Sequence, residues 1–234
     1  MVQPRFSIII PLLATEDHIQ SVAGEHLAAL RQAFPGQFEL ILALNGCADL
    51  AVEQTLPAPS PEHPELFIIK IKQPGWGRAI KAGLAAARGE FIGYTNASYA
   101  AVSELIKIMR YALVDPGAVV KGARQVRENR TRQWVSFFYN LENRLFLGTP
   151  VWDVNAAPKI FPRRVLEQFT IRSDDSLLDA EVLYYCYRAG VPLIEIPIAW
   201  GKRKGGRSHT NWRTALQLST GIPRFKWRQF WRKD

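Results

Sequence analysis

Cysteine is nearly absent from this chain of 234 residues: Cys47 and Cys186 are the only two, and both sit inside apolar segments. Such a pair gives no disulfide framework, which excludes the stapled secreted scaffolds and points to a reducing compartment. Long hydrophobic runs are missing too. The longest, such as Phe6 to Ala14, is interrupted by Pro11 and is too short to span a bilayer, so any membrane association has to be peripheral. There is no internal repeat, no low-complexity segment and no linker strong enough to split the chain. The start, Met-Val-Gln-Pro-Arg, leads straight into a strand-like run without the layout of a signal peptide. The chain is therefore expected in the cytoplasm, peripheral on the cytoplasmic membrane face if it meets a membrane. Acidic residues are in deficit, 21 against 30 Lys and Arg, for a formal net charge of +9 and a pI of about 9.8. That balance favours phosphates, nucleic acid or an acidic membrane surface as partners, and ordinary solubility accounts for it as well. Of the histidines, His18, His26 and His63 have no metal-ligand company and read as surface residues.

What is present is enough apolar material, 47%, for the full core of one globular domain. Phe6-Ser-Ile-Ile-Ile-Pro11 is apolar on both faces, as a strand buried from both sides requires. Thr15-Glu-Asp reads as the opening of a helix with Thr15 as N-cap, running to about Phe34. Glu39 to Leu44 is a second buried strand, stopped by Asn45-Gly46. A short helix and a Pro-rich loop, Leu56 to Pro64, follow. Leu66 to Ile71 is a strand, Gly75 to Arg88 a helix, Phe91 to Tyr94 a strand, Ser103 to Leu113 a helix, and Ala118 to Lys121 a short strand. This alternation is the signature of a mostly parallel sheet with helices on both faces. Ligands in such sheets sit at the carboxyl ends of the strands, where Asn45 and Asn96 both fall. Further on, Trp134 to Leu147 reads as a helix with Phe137, Phe138, Leu141 and Leu145 toward the core. Asp153 to Phe161 is loop and strand, Leu177 to Arg188 helix, Leu193 to Ile198 strand. Lys202 to Arg207 is a basic Gly-rich loop, and helix returns from Asn211 to Thr220. Two segments follow from this: a domain over 1–221 and a basic-aromatic stretch over 222–234.

Several motifs appear in a fixed order. Leu44-Asn45-Gly46-Cys47-Ala48-Asp49 follows the second strand. Gly75-Trp-Gly-Arg-Ala-Ile-Lys-Ala-Gly-Leu-Ala-Ala-Ala-Arg-Gly-Glu-Phe-Ile leads into Tyr94-Thr95-Asn96-Ala97-Ser98. Gly122-Ala-Arg124, Asp153-Val-Asn-Ala-Ala-Pro-Lys159-Ile-Phe, Asp179-Ala-Glu181 and Glu195-Ile-Pro-Ile-Ala-Trp-Gly-Lys-Arg203-Lys-Gly-Gly-Arg-Ser208-His209 come later. Each is weak alone; their joint order and spacing are specific. From about Phe6 to about Asn211 the chain resembles family 2 glycosyltransferases of the nucleotide-sugar-binding GT-A fold. The nearest branch is that of the dolichol-phosphate mannosyltransferases and related polyprenyl-phosphate glycosyltransferases.

The resemblance implies an α/β domain that transfers a sugar from a nucleotide-sugar donor to a polyprenyl phosphate or similar lipid acceptor. It implies donor contacts at Pro11, Leu13, Thr15, Asn45, Asn96, Ala97, Ser98, Arg203, Ser208 and His209, and catalytic roles for Arg124, Asp153, Asp179 and Arg203. In the family, Asp-x-Asp at the end of the fourth strand holds Mg or Mn against the donor diphosphate. Here those positions are Asn96 and Ser98, with Ala100 beyond, and none offers the carboxylate that a hard divalent cation wants. Thr15 stands for an acid of the first loop, Leu13 for an aromatic residue, Asn45 for a base-contacting aspartate and His209 for a lysine. No metal ligand is assigned.

The chemistry tolerates that loss on one condition. An acceptor phosphate oxygen is already anionic and needs no strong general base. Cations must still hold two phosphate-bearing substrates together against their repulsion. Arg124, Arg130, Arg132, Arg203 and Arg207 are candidates, arginine offering bidentate phosphate contacts; a solvated basic face is the plainer account of some of them. Asp179 and Glu181, two apart on a helix, point to different faces, and an ion pair with Lys159 or Arg188 stands beside a catalytic role. Pro223-Arg-Phe-Lys-Trp-Arg-Gln-Phe-Trp-Arg-Lys has Trp227, Phe230 and Trp231 near one face and Arg224, Arg228 and Arg232 on another, the composition of an interfacial membrane helix on an anionic surface. A terminal helix docking its aromatics on the domain fits the same residues. Three readings stay open: a transferase working without metal, a catalytically degenerate module binding a nucleotide, lipid phosphate or protein partner, and a nucleic-acid binder, for which no motif speaks.

Overall fold

A computed structural model describes residues 3–96, 101–125, 130–199 and 212–230, with backbone alone at 130–132, 212–219 and 230. The elements are β1 (Phe6–Leu13), α1 (Ile19–Ala33), β2 (Phe38–Asn45), β3 (Ala58–Pro59), β4 (Leu66–Ile71), α2 (Trp76–Ala86), β5 (Phe91–Tyr94), α3 (Val102–Val114), β6 (Val119–Arg124), α4 (Arg130–Leu147), β7 (Lys159–Pro162), α5 (Arg163–Leu166), α6 (Leu178–Arg188), β8 (Leu193–Ile198) and α7 (Trp212–Phe230). The strands form one sheet in the order β3-β4-β2-β1-β5-β7-β6-β8. β4, β2, β1 and β5 are parallel neighbours, as are β6 and β8, while β7 runs antiparallel between β5 and β6 and β3 antiparallel at the edge.

The buried strands explain the two-sided apolar runs. Side chains alternate across a strand, so Ile8, Ile10 and Leu12 of β1 enter one core layer with α1 and α3. Ile9 enters the other, with Ile41, Ile69 and the α2 and α6 residues Ala79, Ile80, Leu178 and Leu183. Each such side chain, fully withdrawn from water, contributes roughly 1.5–3 kcal/mol. Pro11 has no amide hydrogen, yet sits in a central strand. It is tolerated because the pairing of β1 with β5 ends at Ile9 opposite Tyr94.

Four local readings of the sequence give way. The first helix starts at Ile19, with His18 rather than Thr15 at the cap position and no side-chain cap bond; the Glu16 amide instead turns back to the Leu13 carbonyl at 3.0 Å. Turns and bends replace the short helix after Asn45-Gly46, and part of the Pro-rich loop becomes β3, an edge strand that can spare proline's missing donor. His26 is buried, its Nδ1 donating to the Val22 carbonyl at 2.8 Å. In α7 the helix passes through position 222 and Pro223 without stopping. Ile222 and Phe225 are buried on either side of the proline, Phe225 edge-on to Tyr184 with centroids 5.4 Å apart. Their burial holds together a helix that lacks one backbone donor.

The largest correction concerns α4. Phe137, Phe138, Leu141 and Leu145 face outward, with Leu145 74% exposed. The buried face is Tyr139, Asn140, Asn143 and Leu147. Asn140 Oδ1 accepts the Val154 amide at 3.0 Å and Asn143 bonds Thr149. The returning loop needs amide partners, and this polar face supplies them.

Candidate active site at the carboxyl edge of the sheet

The carboxyl ends of β1, β2, β5 and β6 reach one edge of the sheet, where the antiparallel β7 begins. Leu13 lies in register with Asn45, and Tyr94 with Lys159. The Thr95 amide donates to Ile9 O at 3.1 Å and carries β5 one residue further, to the partly buried Asn96. Thr15 is exposed on the turn after β1. Ala97, Ser98, Arg203, Ser208 and His209 lie outside the described residues, as do Ala100 and Arg207.

Asn45 occupies the centre of this edge and is 4% exposed. Its Nδ2 donates to the Leu12 carbonyl at 2.7 Å, and its Oδ1 accepts the Gly75 amide at 3.0 Å. The side chain thus ties the end of β1 to the start of α2. An aspartate could accept from Gly75 but could not donate to Leu12, which is a physical reason for the amide here. Gly46 next to it has φ +80°, a left-handed turn that glycine adopts without strain.

The acids of the late motifs are spent on cations and amides. Asp153 is 4% exposed and receives the Arg124 amide at 3.1 Å, Nε at 2.7 Å and Nη2 at 2.5 Å. Arg124 and Asp153, both expected in the site, are therefore brought together. Asp179 lies inside the domain, 3% exposed, where its Oδ1 accepts from Tyr94 Oη at 2.7 Å and Lys159 Nζ at 2.5 Å. Of the two candidate partners for that acid, Lys159 is the one in place. Glu181 accepts the amides of Arg172 and Ser173, at 3.0 and 2.8 Å, and so shapes the loop that crosses the start of α2. That crossing is close. A Cβ on Gly77 would come within 2.6 Å of the Asp174 backbone.

Two lysines are fully buried, Lys159 within a motif and Lys121 one residue ahead of another. Lys121 donates to the carbonyls of Gly122 and Asp153, at 2.8 and 2.6 Å, and to Glu195 Oε1 at 2.9 Å. Glu195 in turn accepts the amides of Trp152 and Asp153. Burial pulls the Lys121 ammonium below its ordinary range, with Glu195 opposing. Burial also lowers Lys159 to about 8, against the pull of Asp179. Tyr94 is pushed far up by burial and then by Asp179, which keeps its hydroxyl protonated and donating. The available signal was a lysine inside an apolar strand, which has to be paired if it is buried.

Magnesium or manganese, which the family resemblance implies, finds no fitting donor set among the described residues. Among the described residues no group of three His, Cys, Asp or Glu could hold a metal ion. Asn96, Ser98 and Ala100 carry no carboxylate in the sequence itself, and Asp153 and Asp179 are engaged by Arg124 and Lys159.

Fold and edge together define a GT-A domain, the architecture of nucleotide-sugar transferases. A family model for Glycosyl transferase family 2 matches residues 7–170, and the chain belongs to that family. It is 26% identical over 230 residues to Glycosyltransferase AglD of Haloferax volcanii, covering 94% of this chain but 37% of that protein. The chain thus spans little more than a third of that relative. Glucosyl-3-phosphoglycerate synthase from Mycobacterium tuberculosis, with Mn2+, UDP and glucosyl-3-phosphoglycerate, superposes with a TM-score of 0.69 at 17% identity, over 99% of this chain and 81% of its own. The same synthase with Mg2+ and UDP gives 0.66 at 14% identity, over 95% and 79%.

Proposed function

We propose that this domain transfers a sugar from a nucleotide-diphosphate donor to an anionic acceptor, polyprenyl phosphate or a related lipid phosphate, without a divalent cation. The observation that carries the reading is where the family-2 match lies: over the strands whose carboxyl ends bring Pro11, Leu13, Asn45, Asn96 and Arg124 to one edge. The UDP-bound synthases of the same fold and the Haloferax glycosyltransferase support a nucleotide-sugar donor. In the reaction an acceptor phosphate oxygen attacks the anomeric carbon. The bond from that carbon to the donor diphosphate breaks, and the nucleoside diphosphate leaves with the electron pair. Arg124 and Arg203 supply the positive charge that the missing acids and their cation would have organised. At an effective dielectric of 20, one unit charge 4 Å from another is worth about 4 kcal/mol, which is the scale required of each guanidinium; Arg124 is already held by Asp153, so more of that task falls to Arg203. No helix among the described residues is long and apolar enough to cross a membrane.

Calorimetric titration with UDP, GDP and their sugars, with and without magnesium or manganese, tests this. Binding without metal, weakened by Arg203→Ala, is expected. Binding only with metal would overturn the metal-free mechanism, and no binding under any condition would overturn the transferase. A catalytically degenerate binding module is the second reading, favoured by Asn96 and Ser98; it predicts nucleotide binding with no sugar transfer to polyprenyl phosphate.

A further inference from the structure

The outward face of α4 is the least expected surface of the molecule. Trp134, Phe137, Phe138, Leu141 and Leu145 recur at helical spacing on one stripe, and all are exposed. Trp134 and Phe138 stack with centroids 6.2 Å apart, and Phe137 meets both rings edge-on. Trp152, 66% exposed, extends the apolar surface onto the returning loop, with the Arg144 guanidinium 3.7 Å over its ring. A stripe this size on a solvated helix is a binding surface, because isolated apolar side chains are ordinary and contiguous ones are not.

Charge decides what it binds. α4 holds three arginines and one glutamate, and α7, packed against it, holds four cations and no acid. These helices carry +2 and +4 of the chain's formal +9. In α7, Trp227 is exposed between Arg224 and Arg228, so the aromatic and the two arginines share one face. A second copy would bring the same positive surface against itself. Nucleic acid would suit the arginines and leave Leu141 and Leu145 unsatisfied. An interface that is anionic at its surface and apolar just beneath matches both features.

We propose that the α4 stripe, with Trp152 and the basic face of α7, docks on an anionic phospholipid bilayer, inserting Trp134, Phe137, Phe138 and Leu145 at headgroup depth. The surface begins one residue from Asp153, the partner of Arg124. Docking therefore sets the candidate active edge beside the membrane. This goes beyond the transfer reaction and stands without it, since vesicle binding is read without donor or acceptor.

The test is sedimentation of the full chain with vesicles of phosphatidylcholine alone and of phosphatidylcholine mixed with phosphatidylglycerol. Phosphatidylglycerol-dependent binding is expected. Phe138→Ser with Leu145→Ser should weaken it at least roughly tenfold, since two buried apolar side chains are lost. Both side chains are solvent-facing, so the fold should persist; circular dichroism and the thermal midpoint check that. Arg224→Glu with Arg228→Glu should abolish the phosphatidylglycerol preference. Undiminished vesicle binding by the α4 variant overturns the proposal. So does a concentration-dependent dimer that the α4 variant dissolves while vesicle binding stays, or tighter binding to RNA than to vesicles in a competition.

Discussion

Lys159 Nζ sits 2.5 Å from Asp179 Oδ1 in a pair whose side chains are 0% and 4% exposed. The pair joins the start of β7 to the start of α6, and Tyr94 at the end of β5 donates to the same oxygen. Three elements behind the candidate active edge therefore share one carboxylate. Lys159→Met should destabilise the domain by about 3–5 kcal/mol, because it strands a buried anion. Lys159→Met with Asp179→Leu should recover most of that loss. Urea midpoints of the single and double variants check this; equal loss in both would assign the cost to packing.

The same lysine makes stability pH-dependent in a defined direction. Its proton leaves near 8 in the folded protein, against 10.5 for an unperturbed lysine, because burial disfavours the cation. Between those values the unfolded chain holds more protons, so stability rises with pH through that window. Below 8 the cost of burying the cation is present in full. The slope is at most about 1.4 kcal/mol per pH unit. From pH 10 upward the buried phenols Tyr94 and Tyr139 act in reverse, since their raised values keep them protonated in the fold alone. Wild type minus Lys159→Met, compared at pH 7.5 and 9.5 by denaturant unfolding, should show the wild type gaining.

Asn45→Asp would restore the family's aspartate at the end of β2. It would also face the Leu12 carbonyl with a carboxylate oxygen where Nδ2 now donates. A loss of about 1–3 kcal/mol is expected from the unpaired carbonyl and the buried charge. Thermal unfolding measures it, and an unchanged midpoint would mean that the Asn45 bridge does not support the fold.

Gly77→Ala should cost roughly 1–3 kcal/mol. Its Cβ would meet backbone of Ser173, Asp174 and Asp175 between 2.6 and 2.8 Å, and backbone cannot rotate away. The loop over α2 has to lift, so faster proteolysis within 172–176 should accompany the loss of stability.

Residue order alone reveals the parallel strands of the sheet, though not the antiparallel edge strand β3. Runs such as Phe6 to Pro11 and Glu39 to Leu44 are apolar at both parities, and only a strand covered on both faces uses every side chain. It also determined the family, through motifs whose order is set by which strand ends meet at the edge, and it displayed the missing acids at Asn96 and Ser98. Tertiary structure alone decided what each polar residue faces. Asp179 meets Lys159 across 20 positions and Lys121 meets Glu195 across 74, contacts that no local spacing encodes. It reversed α4 for the same reason. Helical periodicity reveals that a helix has two faces, but the loop carrying Thr149 and Val154 needed hydrogen-bond partners, and that requirement turned Asn140 and Asn143 inward and the aromatic stripe out.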